Sequence, residues 1–470
     1  MLDEDVILKS TRYINERILI LNIAAISLLP AIFFGGSGAF ALSLIFSLGI
    51  IAPINVFTYP LNWIDAPDYS RIKYIICVLP VMAASAMAIA RFFTPSLAYT
   101  NFEQIEALRL LDENSAKLVA SAATSFFDAV SDSIIVLSSC LAAFSIFIIT
   151  KSRFVIKTML MCCSAGVVLF SVIGLVLDAL YALDVPAVKR IYTDFAFFTF
   201  ADKADFSFYA YIWASALLAT GIYTFQRFSL QNLFGSLRFF IMIGSIFLFA
   251  VSLYTSSAFF KPFIYATAAF IFVVYTIDVF PTKSNLRRHN RRIVDNSFSS
   301  MLKASTPAII YTIIAAISLL FCVLSAKPAM DFQNAPERAE LKNLDADAAS
   351  AAAEKPVFGW GGGSFQNVMS IKQGDDIKNI AHDKASSDFI KASLEYGFLG
   401  IAMIAAMPIF LFVYIFAKFG VSKSQAIMLA PIAVLTALSF VSTPFLSPSV
   451  IISFWILSGS LIAWGNSEII

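Results

Sequence analysis

Residues 133–150 read SIIVLSSCLAAFSIFIIT, a run without one charged side chain, framed by Asp132 before it and by Lys151 and Arg153 after it. About 18 apolar residues in a helix reach most of the way across a hydrocarbon layer of roughly 30 Å. A helix also satisfies its backbone groups internally, where no water is available to do so. The stretch therefore reads as a membrane-spanning helix with one acidic and one basic end.

Working outward, similar runs recur at approximately 18–34, 37–56, 74–92, 158–181, 207–226, 239–256, 263–280, 307–325, 397–417, 424–441 and 448–466. Composition agrees with them. Of the 470 residues 59% are hydrophobic and 14% charged, with a mean hydropathy of +0.80. A soluble domain carries about 25% charged residues. The expectation is an all-α polytopic integral membrane protein with about twelve transmembrane helices.

A formal net charge of +2 gives no basis for nucleic-acid binding. The cysteines (Cys77, Cys140, Cys162, Cys163 and Cys322) all fall in apolar runs and read as small hydrophobes. The first run, near Ile18, lacks a small-residue cleavage site and reads as an uncleaved anchor.

Lys and Arg set the orientation. With the N-terminus inside, 18 of the 33 basic residues fall on inside segments, including the cluster Lys283, Arg287, Arg288, Arg291 and Arg292. Eight of the others belong to one long outside segment, which crosses regardless of its charge. Both termini are thus expected inside. Topology by itself accounts for the basic cluster.

The chain divides accordingly. Residues 1–325 hold nine spans and two shorter outer segments, 93–132 and 182–206; residues 326–396 form the one large outer loop; residues 397–470 hold the last three spans. Segment 93–132 is acidic, with Ile105, Leu108 and Leu111 at helical spacing. Segment 182–206 carries Lys189, Arg190 and Phe195, Phe197, Phe198 and Phe200, aromatics expected at the interface or in the core. The large loop begins with a helical signal. Asn334 can cap, Pro336 suits a first turn, and the alanine-rich run 348–353 stops before Pro356. A second helix is expected around 386–396, leading straight into the tenth span.

Between those helices lies Val357-Phe358-Gly359-Trp360-Gly361-Gly362-Gly363-Ser364-Phe365, and the second helix closes on Glu395-Tyr396-Gly397-Phe398-Leu399-Gly400. Glycines permit backbone conformations other residues avoid, and successive amides can form an anion nest. The turn is not a P-loop, since no Gly-Lys-Ser/Thr follows. Asp388 and Glu395 stand seven residues apart, about two turns of helix and so on one face. His382 is the only histidine of the outer segments. No His, Cys and carboxylate set has metal-ligand spacing, so neither a metal nor another cofactor is expected.

Arg338, Pro356, Gly359, Gly361, Gly363, Phe365, His382, Asp388, Glu395, Gly397 and Gly400, in that order, resemble the core pattern of the O-antigen ligase and O-antigen polymerase superfamily. These are bacterial inner-membrane glycosyltransferases that act on the periplasmic side. The resemblance covers about 60 residues. It implies a glycan donor linked to undecaprenyl diphosphate and an acceptor that is either a lipid A-core sugar or another lipid-linked glycan. It implies that Arg190, Lys261 and Arg338 meet the diphosphate, where fixed cations offset the charge of the leaving group. His382, Arg338, Asp388 and Glu395 would serve the reaction itself, as base or hydrogen-bond partner of the acceptor hydroxyl. Gly359, Gly361, Gly363, Gly397 and Gly400 would shape the loop.

Two positions depart from the family pattern. Ala258 stands where the family often has an Arg, with Lys261 one helical turn on, and Ser386-Ser387 stands where ligases have His-Asn. Ligase and polymerase both remain open. So do a lipid-linked oligosaccharide transporter, with membrane lipid as its surroundings, and an inactive member that serves as an assembly partner. Carriers tend to hold ionisable residues at the midplane, whereas the polar residues here concentrate in one loop.

Overall fold

A computed structural model describes residues 2–33, 35, 38–58, 67–92, 97–102, 105–110, 126–150, 152–191, 195–221, 237–279, 298–333, 336–372 and 385–467. His382 lies outside them, and so do the side chains of Arg190 and Arg338.

In chain order the helices are α1 (Leu2–Ile32), α2 (Ala39–Thr58), α3 (Pro67–Phe92), α4 (Phe126–Ile149), α5 (Arg153–Ala182), α6 (Pro186–Ile191), α7 (Lys203–Gly221) and α8 (Leu237–Thr255). They continue with α9 (Lys261–Val279), α10 (Phe298–Gln333), α11 (Pro336–Glu354), α12 (Phe365–Lys372), α13 (Asp388–Phe419), α14 (Lys423–Leu438) and α15 (Pro448–Asn466). Among the described residues, seven stretches are long and apolar enough to cross a membrane: Ile14–Ile32, Ala39–Thr58, Val130–Ile149, Arg153–Ala182, Ile310–Asp331, Asp388–Tyr414 and Pro448–Asn466. Three shorter apolar helices, Phe240–Thr255, Lys261–Ile277 and Lys423–Leu438, add to them. The chain is thus an α-helical membrane protein. Among the described residues, each expected apolar run overlaps a helix, including α3 and α7, which belong to neither group.

The acidic outer segment differs from expectation. Leu97–Phe102 (β1) and Ile105–Leu110 (β2) pair antiparallel, with Phe102 opposite Ile105 and Leu97 opposite Leu110. The spacing of Ile105 and Leu108 fits a helix, but Tyr99, Thr100, Phe102 and Ile105 favour strands, and adjacent strands satisfy their backbone groups locally.

α7 is the centre of the bundle, and every residue from Asp205 to Gly221 is buried. A helix apolar on all sides has no outward face to offer. Four of its polar side chains bond to neighbouring helices. Trp213 Nε1 donates to Ser453 Oγ of α15 at 3.0 Å, Tyr209 donates to Ser27 O of α1 at 3.0 Å, and Tyr211 shares 2.6 Å with Thr267 of α9. Ser207 donates to Ser252 O of α8 at 2.8 Å. Such bonds hold helices together where apolar packing alone gives no preference over lipid.

Phe197, Phe198 and Phe200 also belong to the core, at 0%, 8% and 1% exposure. The turn 195–200 folds inward against Gly174, where a Cβ would come within 2.5 Å of the Phe197 ring. α10 is the opposite case. Only 11% of its apolar window is buried, and α9 is its main neighbour.

One set of helix ends is tied into a single face. Gly35 O, after α1, accepts from Ser447 Oγ at 3.0 Å and Ser449 Oγ at 2.7 Å at the start of α15. Thr199 donates to Ala31 O. Lys203, opening α7, pairs at 3.1 Å with Asp178 near the end of α5. The large loop closes over this same face.

Candidate functional site

The loop forms a cap with its own small core. Leu344, Ala348 and Ala351 of α11, Trp360 and Phe365 around the glycine turn, Val368 and Met369 of α12, and Leu394 of α13 are buried together. Trp360 Nε1 donates to Ala351 O at 2.8 Å, and the Lys355 ammonium lies 4.0 Å from the indole centre. Ser387 caps α13 by accepting from Ile390 N at 3.2 Å, while Ser386 donates to Asp345 of α11. The Ser-Ser pair is therefore a helix start tied to the cap.

The glycine turn and the helix that follows exchange backbone partners. α13 is broken at Gly397 (φ 64°, ψ −178°), a conformation essentially confined to glycine. In an unbroken helix, Phe398 N and Leu399 N would donate to Leu394 O and Glu395 O. Instead they donate to Pro356 O at 2.8 Å and Val357 O at 3.0 Å. Leu394 O and Glu395 O accept from Trp360 N at 2.6 Å and Gly361 N at 2.8 Å. Four groups that the break would orphan are each paired with the turn.

The carboxylate of Glu395 takes two further amides of the turn. Its Oε1 accepts from Phe365 N at 3.3 Å, and the Gly363 amide also faces it. Glu395 is 1% exposed, and its Oε2 has no hydrogen-bond partner. The anion held by this glycine nest is thus the chain's own side chain.

Asp388, Lys391 and Glu395 follow one face of the helix before the break, as their spacing predicts. Lys391 pairs at 3.0 Å with Asp132 at the head of α4 and is the nearest cation to Glu395. A buried carboxylate needs such a neighbour or a proton. Asp388 Oδ2 accepts from Phe445 N at 2.7 Å, and the backbone amides of Asp388 and Phe389 donate to Ser442 O and Ser439 O. The two carboxylates proposed from sequence therefore have different surroundings. Asp388 anchors the turn between α14 and α15, whereas Glu395 keeps one oxygen unused.

Glu395 also lines a cleft with Ala84 and Met87 of α3, Phe358 and Gly362 of the turn, and Tyr396 and Gly400 of α13. The small side chains of Ala84, Gly362 and Gly400 make the opening.

Lys261 stands at the first turn of α9, and no ion pair is formed by it among the described residues. Of the remaining sequence candidates, Arg190 lies on α6 and Arg338 on α11, with their side chains outside the described residues, as is the whole of His382. Sequence reading passed over Asp132. Asp132 was visible as the charge that ends an apolar run, but nothing in the sequence pairs it with Lys391, 259 residues away. It also passed over Lys203, whose ion pair with Asp178 is joined by the Tyr254 hydroxyl.

Neither a model of any known protein family nor any curated protein matches this chain.

Proposed function

We propose that this chain is a membrane glycosyltransferase of the O-antigen ligase type. In this reading it crosses the bacterial inner membrane about twelve times with both termini inside, and residues 326–396 lie on the periplasmic side. It transfers a glycan from undecaprenyl diphosphate to a lipid A-core or similar acceptor in surface-polysaccharide synthesis. Arg190, Lys261 and Arg338 meet the diphosphate, which leaves as the anomeric bond breaks, so no metal is required of the chain. His382 or Glu395 takes the hydrogen bond of the attacking hydroxyl. Repeat-unit polymerisation uses the same donor chemistry with a second lipid-linked glycan as acceptor.

One observation carries this reading. The two motif segments, more than thirty residues apart, are joined bond for bond at the Gly397 break, and the buried Glu395 there, which keeps one oxygen without a partner, is among the residues lining a cleft. A cap held only for stability gains nothing from leaving that oxygen unpaired.

The test is to incubate the purified protein with a lipid-linked oligosaccharide, with and without lipid A-core. A single adduct on the core supports ligation. A ladder formed without core supports polymerisation. No product from well-folded protein overturns the enzyme reading in favour of a transporter or an inactive partner.

A further inference from the structure

Phe389, Phe440 and Val441 form an apolar patch at the end of the bundle that the cap covers, 43%, 56% and 48% exposed. Phe440 and Val441 lie beyond the end of α14, and Phe389 stands before the Gly397 break of α13. The two rings are in contact, with centroids 4.7 Å apart and planes tilted by 35°. Single exposed apolar residues are ordinary, but two aromatic rings held together at a surface mark an interaction site.

The patch is fixed by backbone bonds. Phe389 N donates to Ser439 O at 3.0 Å and Asp388 N to Ser442 O at 3.1 Å, while Ser442 N closes the turn on Leu438 O at 2.7 Å. A surface fixed in advance loses little freedom when a ligand arrives.

The same turn carries two hydroxyls, of Ser442 and Thr443. Both residues are half-buried, their oxygens reach the surface, and neither side chain makes a hydrogen bond among the described residues. One turn earlier the pattern is different. Thr436 Oγ1 donates to Ile432 O at 2.8 Å and Ser439 Oγ to Thr436 O at 2.7 Å, as hydroxyls on a lipid-facing helix must. The turn therefore offers aromatic rings and uncommitted hydroxyls in one place.

A sugar ring matches both features. Its C–H face packs on aromatic rings, and its hydroxyls donate and accept. A lipid tail has nothing to give Ser442 and Thr443. A phosphate meets the Asp388 carboxylate next to Phe389, and the nearby Lys391 is already paired with Asp132. Trp and Tyr, whose rings carry a polar tip, are the residues that settle at a lipid interface, and both rings here are Phe.

We propose that Phe389 and Phe440 form a platform for a sugar ring of a glycan, with Ser442 and Thr443 as hydrogen-bond partners of its hydroxyls. Phe389 stands before Glu395 by about 9 Å along α13, so the platform is a subsite apart from the Glu395 cleft. It does not depend on the transfer reaction.

Saturation-transfer NMR of the full chain in detergent tests it. The probe is the oligosaccharide released by mild acid from the lipid-linked donor. Its ring C–H protons are expected to receive saturation from the protein. Joint Phe389→Ala and Phe440→Ala substitution is expected to raise the Kd about tenfold or more, the loss of two ring contacts. Phe440→Trp keeps an aromatic face and should bind at least as tightly as the parent. Phe440→Ser alone, at a side chain more than half exposed, keeps the test open if the double variant fails to fold. A probe that receives no saturation, or an affinity unchanged in these variants, would overturn the platform.

The rival occupant is the lipid interface. In a background without the native cysteines, a spin label on Phe440→Cys in liposomes should be relaxed by a water-soluble nickel chelate. Relaxation by oxygen alone would place the patch in lipid and overturn the proposal. Binding without transfer supports the platform and counts against the enzyme reading only, whereas transfer by a protein that shows no binding overturns the platform only.

Discussion

Gly359 and Gly397 each fill the space of the other's missing side chain. A Cβ on Gly397 would stand 2.5 Å from the Gly359 nitrogen, and a Cβ on Gly359 would stand 2.6 Å from the Gly397 nitrogen. Both residues also have φ near +65°, at 67° and 64°. The obstacle in each case is backbone, which cannot swing aside as a side chain does. This contact joins the cap to the helix below it.

Gly397→Ala is therefore expected to detach the glycine turn. Backbone strain alone costs about 1–3 kcal/mol, and the overlap adds to it. Thermal unfolding in detergent should fall, and protease cleavage within 326–396 should rise. A variant with parental melting and parental cleavage would show that the pairing is dispensable.

Removing Lys391 should cost more than removing its partner. Lys391 and Asp132 are each about one-third exposed, at 31% and 32%, so Asp132→Asn is expected to cost about 1 kcal/mol or less. Lys391→Met also strips the nearest cation from a carboxylate that is 1% exposed, and stranding a buried charge costs about 3–5 kcal/mol. Adding Glu395→Gln to Lys391→Met should recover most of the loss, because the stranded charge is gone. Equal destabilisation by the two single variants would count against the arrangement.

The two carboxylates of α13 should separate by function. Glu395→Gln is expected to lower the rate of glycan transfer about 100-fold or more, the contribution typical of a group that handles the reacting proton. Asp388→Asn keeps an oxygen for Phe445 N and should leave the rate near parental, while Asp388→Ala should loosen the 439–447 turn and lower thermal stability. Initial rates on the lipid-linked donor, measured beside melting curves, decide between them. A dead Asp388→Asn enzyme with a parental melting curve would reverse the assignment.

Sidedness is open to labelling. Val357, 45% exposed on the cap, and Val421, 38% exposed between α13 and α14, lie at opposite ends of the part of α13 that follows the Gly397 break. In a background without the native cysteines, Val357→Cys should react with an impermeant maleimide in spheroplasts. Val421→Cys should react only after lysis. The reverse pattern would place the cap in the cytosol and end the proposed reaction.

Much of the fold was legible because lipid imposes a strict rule: unbroken apolar runs must be helices. The helices under the apolar runs, seven of them long and apolar enough to cross a membrane among the described residues, the α11 start at Pro336 and the helix leading into residues 397–417 could be read in this way. The hairpin at 97–110 could not, since Ile105 and Leu108 suit either period and pairing between strands decides. Nor could the burial of Phe197, Phe198 and Phe200, because an aromatic near a span end fits an interface belt as well as a core.

For the site, sequence alone identified the glycines, Asp388 and Glu395 as the residues to examine, since backbone freedom and charge are properties a residue carries with it. Which carboxylate keeps a free oxygen, and that Lys391 and Asp132 stand near it, was decided only by the tertiary structure. Hydrogen-bond satisfaction depends on which backbone amides from distant segments arrive. At Glu395 those amides come from Gly363 and Phe365, brought there by the break at Gly397.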